Sequence, residues 1–219
     1  MRRAMAPRWS DCAIGGADLT SDPRLSSTGA ADGIFRVWSF SAQRTPDFAA
    51  DPPSTPSARA AFEPFDPVRD DPVLNCAQPG MPEAITFIGP HPIEFVDRGD
   101  QILLRIESDD TTRVIHMGED LRPDEQPLSS LGFSVGRWEN KHTLVVTTTR
   151  VSCPWAKLAG LVAVPQSRES VFTERFTMSE AQIQLTYGFS ISDPETFTRS
   201  VSADGYTVWR SSGNRRRAH

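Results

Sequence analysis

From residue 82 onward the chain is written in short alternating runs. They are "EAITFI" (83–88), "PIEFVD" (92–97), "QILLRIES" (101–108), "TRVIHM" (112–117), "GFSVGRW" (132–138), "HTLVVTTTR" (142–150), "SVFTERFTM" (170–178), "QIQLTYGFSI" (182–191) and "YTVWRS" (206–211). β-Branched and aromatic residues dominate them, and turn-forming segments such as "DRGD", "SDDT", "WENKH" and "MSEAQ" fall between. Successive side chains of a strand point to opposite faces, so this texture suits half-buried strands. With "GIFRVWSF" (33–40) as a first strand, the spacing predicts an all-β fold. The expected form is an antiparallel meander of about 8–10 strands closed into a lipocalin-like β-barrel. Closure removes the exposed strand edges. Helical periodicity is nearly absent, and "PWAKLAGL" (154–161) is the single candidate for a short helix or lid.

Residues 1–32 lack periodicity and read as a loose N-terminal arm, leaving 33–211 as one barrel domain and 212–219 as a basic tail. Within that domain, 41–75 holds seven prolines. Proline removes a backbone donor, so this segment is expected as a proline-rich extended arm and not as helix or central strand. At 219 residues the chain needs no metal or disulfide to hold a core. A net charge of −5 argues against nucleic acid as the main partner. Arg2, Arg3 and Arg8, and Arg215, Arg216 and Arg217, read as solvated termini.

Cys12, Cys76 and Cys153 show no C-x-x-C spacing, which excludes the usual zinc patterns. A Cys76–Cys153 disulfide and three free thiols both fit. No histidine pair has metal-ligand spacing, so neither metal nor cofactor is expected. No run approaches the ~20 apolar residues of a membrane span. The start "MRRAMAPRWSDCAIGG" has arginines but no following apolar stretch, so a standard export signal is not expected and a cytoplasmic location follows.

Strand parity nominates site residues. Ile183, Leu185, Tyr187, Phe189 and Ile191 share one face, which should be buried. Ile102, Leu104 and Ile106 share another. Phe172, Glu174, Phe176 and Met178 share a third, and there a carboxylate is bracketed by two phenylalanines. Burying it is costly unless it is paired or protonated. Either this face is exposed, or Glu174 forms a salt bridge with an arginine such as Arg105 or Arg113, or it is a general acid or base in an apolar cavity. His116, on the face of Val114, and Glu107 are further acid/base candidates. Arg105 and Arg113 could steady a developing negative charge. Trp138, Tyr187, Phe172 and Phe176 are candidate binding residues. Nucleophile motifs are missing: "GFSVG" (132–136) only approximates G-x-S-x-G and lies in a strand.

The pieces "CAQPGMP" (76–82), "PIEFVDRGDQILLRIESDDTTRVIHM" (92–117), "LGFSVGRWENKHTLVVTTT" (131–149), "PQSRESVFTERFTM" (165–178) and "ISDPETFT" (191–198) together resemble an uncharacterised family of bacterial proteins. It is abundant in proteobacteria and acidobacteria. The shared pattern is Gly-x-Ser-x-Gly-x-Trp-Glu, Leu-Val-Val-x-Thr-Thr, Glu-Arg-Phe and Asp-Pro, over 76–198. The resemblance implies a closed or nearly closed β-barrel, usually exported, with no general activity attached. It keeps positions matching Glu107, Arg113, Trp138, Glu139, Glu174 and Arg175. This chain departs from the family in its start, which has no signal peptide, and in Asn140-Lys141-His142, where the family has a Gly-Asp turn.

Three functions fit, in this order. The first is cofactor-independent acid/base chemistry, of isomerase, cyclase, lyase or hydrolase type, on a small apolar or aromatic molecule held in the barrel. The second is a non-catalytic, lipocalin-like small-molecule binding protein. The third is a structural or interaction protein whose barrel is filled with side chains.

Overall fold

The computed structural model describes residues 33–47, 51–62, 66, 68, 71, 73–75, 79–86, 91–152, 155–158 and 162–211. Nine strands form a closed barrel. They are β1 (Val37–Gln43), β2 (Ile93–Asp97), β3 (Gln101–Ile106), β4 (Thr111–His116), β5 (Phe133–Asn140), β6 (Thr143–Thr149), β9 (Val171–Met178), β10 (Gln184–Ser192) and β11 (Val201–Ser211), in the order β1-β11-β10-β9-β6-β5-β4-β3-β2. A separate hairpin, β7 (Trp155–Leu158) and β8 (Val162–Pro165), lies in sequence between β6 and β9. The all-β barrel expected from the alternating runs is therefore the fold. One pair departs from a pure meander. β4 and β5 run parallel, with Ile115 opposite Ser134 and His116 opposite Val135, because the segment 117–132 returns along the barrel before β5 begins.

Three local expectations are corrected. "EAITFI" was expected as strand, but Glu83–Thr86 is a helical turn, α2, whose Thr86 hydroxyl donates to the Pro82 carbonyl at 3.0 Å. "PWAKLAGL" was expected as helix, but Trp155–Leu158 is a strand paired with β8. The proline-rich segment holds a helix, α1 (Pro56–Phe62). Proline is tolerated in the first turn, where its missing N–H has no partner to lose. Thr55 caps α1, its hydroxyl accepting from the Ala58 N–H at 3.1 Å. Cys76 and Cys153, whose pairing the sequence leaves open, the arm 1–32 and the tail 212–219 lie outside the described residues.

Cross-strand register defines two barrel ends. The β2–β3, β5–β6 and β9–β10 turns share one end with the segment leading into β1. The β3–β4 and β10–β11 turns share the other. There α2 is tied to the wall, with Tyr206 Oη donating to the Thr86 carbonyl at 2.7 Å and Gln43 Nε2 donating to the same oxygen at 2.9 Å. Asp193 holds the neighbouring loops. Its carboxylate accepts from the Ser167 N–H and hydroxyl, both at 2.8 Å, and from the Ser170 hydroxyl.

The barrel interior is mostly apolar, and its outer wall carries charge. Trp38, Ile85, Leu104, Ile115, Leu144, Val146, Phe176, Leu185 and Trp209 have no exposed surface. The outer wall carries the ion pairs Arg105–Glu94, at 2.9 Å, and Arg175–Glu139. Among the described residues no helix is long and apolar enough to cross a membrane. Gly136 permits the close β4–β5 approach: a Cβ there would sit 2.5 Å from Met117 Sδ and 2.7 Å from Ile115 Cγ2.

Candidate functional site

β9 places Glu174 between Phe172 and Phe176 on the inward face, as parity requires, and all three are at most 2% exposed. A lone carboxylate there would be prohibitively unstable. Its partner is Arg113, which points inward from β4. Arg113 Nη1 donates to Glu174 Oε1 at 2.9 Å, and Nη2 donates to Glu174 Oε2. The fork geometry of guanidinium and carboxylate makes this a two-point pair. On its way across β5 and β6 the same guanidinium donates to the Ser134 hydroxyl at 3.0 Å and to the Thr148 hydroxyl at 2.7 Å. Ser134 and Thr148 are register partners, and their hydroxyls are 2.9 Å apart. Tyr187 on β10 completes the cluster, its phenol donating to Glu174 Oε1 at 3.1 Å.

The electrostatics follow from this geometry. Burial alone would lower the Arg113 pKa, but the charge and hydrogen bonds of Glu174 outweigh it and the net shift is upward. Burial, and then the adjacent Glu174 charge, push the Tyr187 phenol well above its usual value. Burial likewise lifts Tyr206 to about 12. The cluster is a closed set in which each charge has a partner.

Beside it lies a buried aromatic cluster. The Tyr187 ring centre is 5.0 Å from Phe176, 6.0 Å from Phe189, 6.1 Å from Trp209 and 6.4 Å from Tyr206. Phe95 meets Phe176 edge-on at 5.2 Å. Edge-on and tilted rings at these spacings each add roughly 0.5–1.5 kcal/mol beyond area burial. A β-barrel enclosing such a cluster is compatible with binding a small molecule.

Open space lies at the barrel end formed by the β5–β6 and β9–β10 turns. A cleft of about 420 Å³ is floored by Ile34, Phe35, Trp138 and Met178 and rimmed by Asn140, Lys141 and Gln182. Its walls are positioned from below. Trp38 Nε1 donates to the Ile34 carbonyl at 2.9 Å. Phe35 meets Trp138 edge-on at 6.4 Å. Arg36, stacked on Trp38, donates to the Gln182 carbonyl at 3.4 Å. Trp138 keeps 40% of its surface exposed.

The structure brings together some of the nominated residues and separates others. Glu174, Arg113, Tyr187, Phe172 and Phe176 meet in the interior. Of the two arginines weighed as partners for Glu174, Arg105 faces outward and pairs with Glu94 instead. Glu107 is exposed beyond β3, within 3.3 Å of His91 Nδ1. His116 lies on the outer face, stacked 4.4 Å from Phe133. Burial lowers its pKa, against an opposing pull from Asp100. Neither Glu107 nor His116 reaches Glu174. Ile183, expected on the buried face of its strand, precedes β10 and is 60% exposed.

Parity reading missed Ser134 and Thr148. A hydroxyl on an inward face looks like an outward one, and "TTT" (147–149) offers no contrast between faces. Among the described residues no group of three or more His, Cys, Asp or Glu side chains could hold a metal ion. Compared with known protein families and with curated proteins, the chain matches none of them.

Proposed function

We propose that this protein binds a small, largely apolar or aromatic molecule at the mouth of its barrel and releases it unchanged. The observation that carries this reading is the mouth cleft, in which Trp138 lies exposed against Ile34, Phe35 and Met178. Its volume falls within the range of small-molecule sites, roughly 300–1,000 Å³, and its lining has their mix of apolar floor and few polar groups. The Arg113–Glu174–Tyr187 cluster supports binding over turnover. Glu174 is held by both guanidinium nitrogens and by the Tyr187 phenol, and proton transfer would first require those bonds to break. The same proposal includes kinship, over 76–198, with the bacterial β-barrel family described above.

The test is titration with the neutral fluorophore N-phenyl-1-naphthylamine, monitored by its emission, followed by mass analysis of the recovered probe and of small molecules from a bacterial extract. Native protein should bind, and Trp138→Ala should bind about tenfold or more weakly with its far-UV spectrum unchanged. Equal binding by Trp138→Ala removes the cleft as the site. A new product mass that depends on native protein, and is lost in Glu174→Gln, replaces this reading with acid/base catalysis.

A further inference from the structure

The polar rim of the mouth cleft is rich in donors. Asn140 and Gln182 carry amides that could in principle offer either an oxygen or an N–H to a ligand. In both, the oxygen is already engaged by a group that can only donate. Asn140 Oδ1 accepts from the backbone N–H of His142 at 2.8 Å, the bond that closes the β5–β6 turn. Gln182 Oε1 accepts from Arg36 Nη2 at 3.3 Å. Their partners therefore fix which amide atom is oxygen, and each NH2 group can donate to a ligand. Between them stands Lys141, an ammonium with three donors and no acceptor. It has no ion-pair partner among the described residues, and no carboxylate lines the cleft.

From this arrangement we propose that the natural occupant is an organic carboxylate, with an aromatic or branched aliphatic body lying against Trp138 and Phe35 and its carboxylate at the Lys141 rim. The inference rests on the binding reading above and narrows it to one ligand class. A carboxylate accepts up to four hydrogen bonds and donates none, which complements the Lys141 ammonium and the two amide NH2 groups. A neutral alcohol or amide brings no charge to meet the Lys141 ammonium. The net charge of −5 disfavours anions at long range, so selection is assigned to these contacts and not to the field of the whole protein.

Two probes of equal shape separate the possibilities: 2-naphthoate and 2-naphthamide, each titrated calorimetrically into native protein, Lys141→Gln, Lys141→Arg and Trp138→Ala. The expected result is that naphthoate binds native protein about tenfold more tightly than naphthamide. Lys141→Gln should abolish that preference, Lys141→Arg should keep most of it, and Trp138→Ala should weaken both probes. Equal affinity for the two probes, with loss of both in Trp138→Ala, overturns the carboxylate assignment and leaves the cleft reading standing. A naphthoate preference that survives in Lys141→Gln overturns the placement of the anion at this rim. Failure of both probes to bind native protein overturns the inference and the binding reading together.

Discussion

Glu174→Gln is the sharpest perturbation this barrel offers. The substitution keeps the size of the side chain and removes its charge. Arg113 and Glu174 each keep only 1% of their side-chain surface, so the guanidinium would be left charged, buried and without a counter-ion. Breaking a buried pair by removing one partner costs about 3–5 kcal/mol. At about 2–4 °C per kcal/mol for a domain of this size, that is a fall in melting temperature of about 6–20 °C. The triple variant Arg113→Met, Glu174→Leu, Tyr187→Phe should behave quite differently. It removes both charges and the phenol that depended on them, while Ser134 and Thr148 keep each other as partners at 2.9 Å. Replacing a whole buried pair with apolar residues of similar volume is often neutral or stabilising, so the triple variant should regain at least half of the single variant's loss. Urea denaturation followed by far-UV circular dichroism reads both, with a constant slope required for the comparison. A loss below about 1 kcal/mol in Glu174→Gln, the scale of a solvated surface bridge, would refute the argument that the pair is an interior clamp.

Other outcomes follow from the same geometry. Gly136→Ala should destabilise by about 1–3 kcal/mol, because its Cβ would collide with Met117 and Ile115 where β4 and β5 pack, and the urea midpoint reads this directly. Asp193→Ala should cost about 2–3 kcal/mol by releasing hydrogen bonds to a charged acceptor, and it should expose the 165–170 and 193–197 loops to proteolysis. Burial raises the Asp193 pKa, but the hydrogen bonds from Ser170, Ser167 and Thr196 win and hold it below 3.8. Its contribution is thus present above that value and lost as pH falls through the folded-state pKa, so native protein should lose an acid-range increment of stability that Asp193→Ala lacks. On the alkaline side the sign reverses. Tyr187 and Tyr206 keep their protons when folded at pH values where the unfolded chain releases them. Stability should therefore be full below about pH 10 and fall between there and about pH 12, with a shallower fall in Tyr206→Phe. The outer Arg175–Glu139 pair is solvated, and Arg175→Gln should leave the urea midpoint within error.

How much of this was legible in the sequence depends on whether the information is local. The alternation in "SVFTERFTM" places Glu174 on the face of two phenylalanines, and the period of a strand makes that shared face independent of anything else in the chain. The cost of burying a carboxylate then demands a basic partner, and the sequence narrows it to two arginines. Strand parity then chooses between them. Arg105 and Arg113 lie on adjacent antiparallel strands, and it is the parity of each within its own strand that sends Arg113 in and Arg105 out. Short segments were the hardest to read. "EAITFI" and "PWAKLAGL" are too brief for periodicity to separate helix from strand, and packing at the capped barrel end settles each.

The sequence by itself determined an all-β fold, the shared face of the apolar residues in several strands and the cost of any charge buried among them. These follow from side-chain alternation and transfer energetics, both properties of a few neighbouring residues. The tertiary structure alone decided the parallel β4–β5 pair, the hydroxyls of Ser134 and Thr148 under the Arg113 guanidinium, and the donor-lined cleft where Trp138, Gln182 and the approach to β1 meet. Those features join residues tens to more than a hundred positions apart. Barrel closure, which no local pattern encodes, brings them within bonding distance.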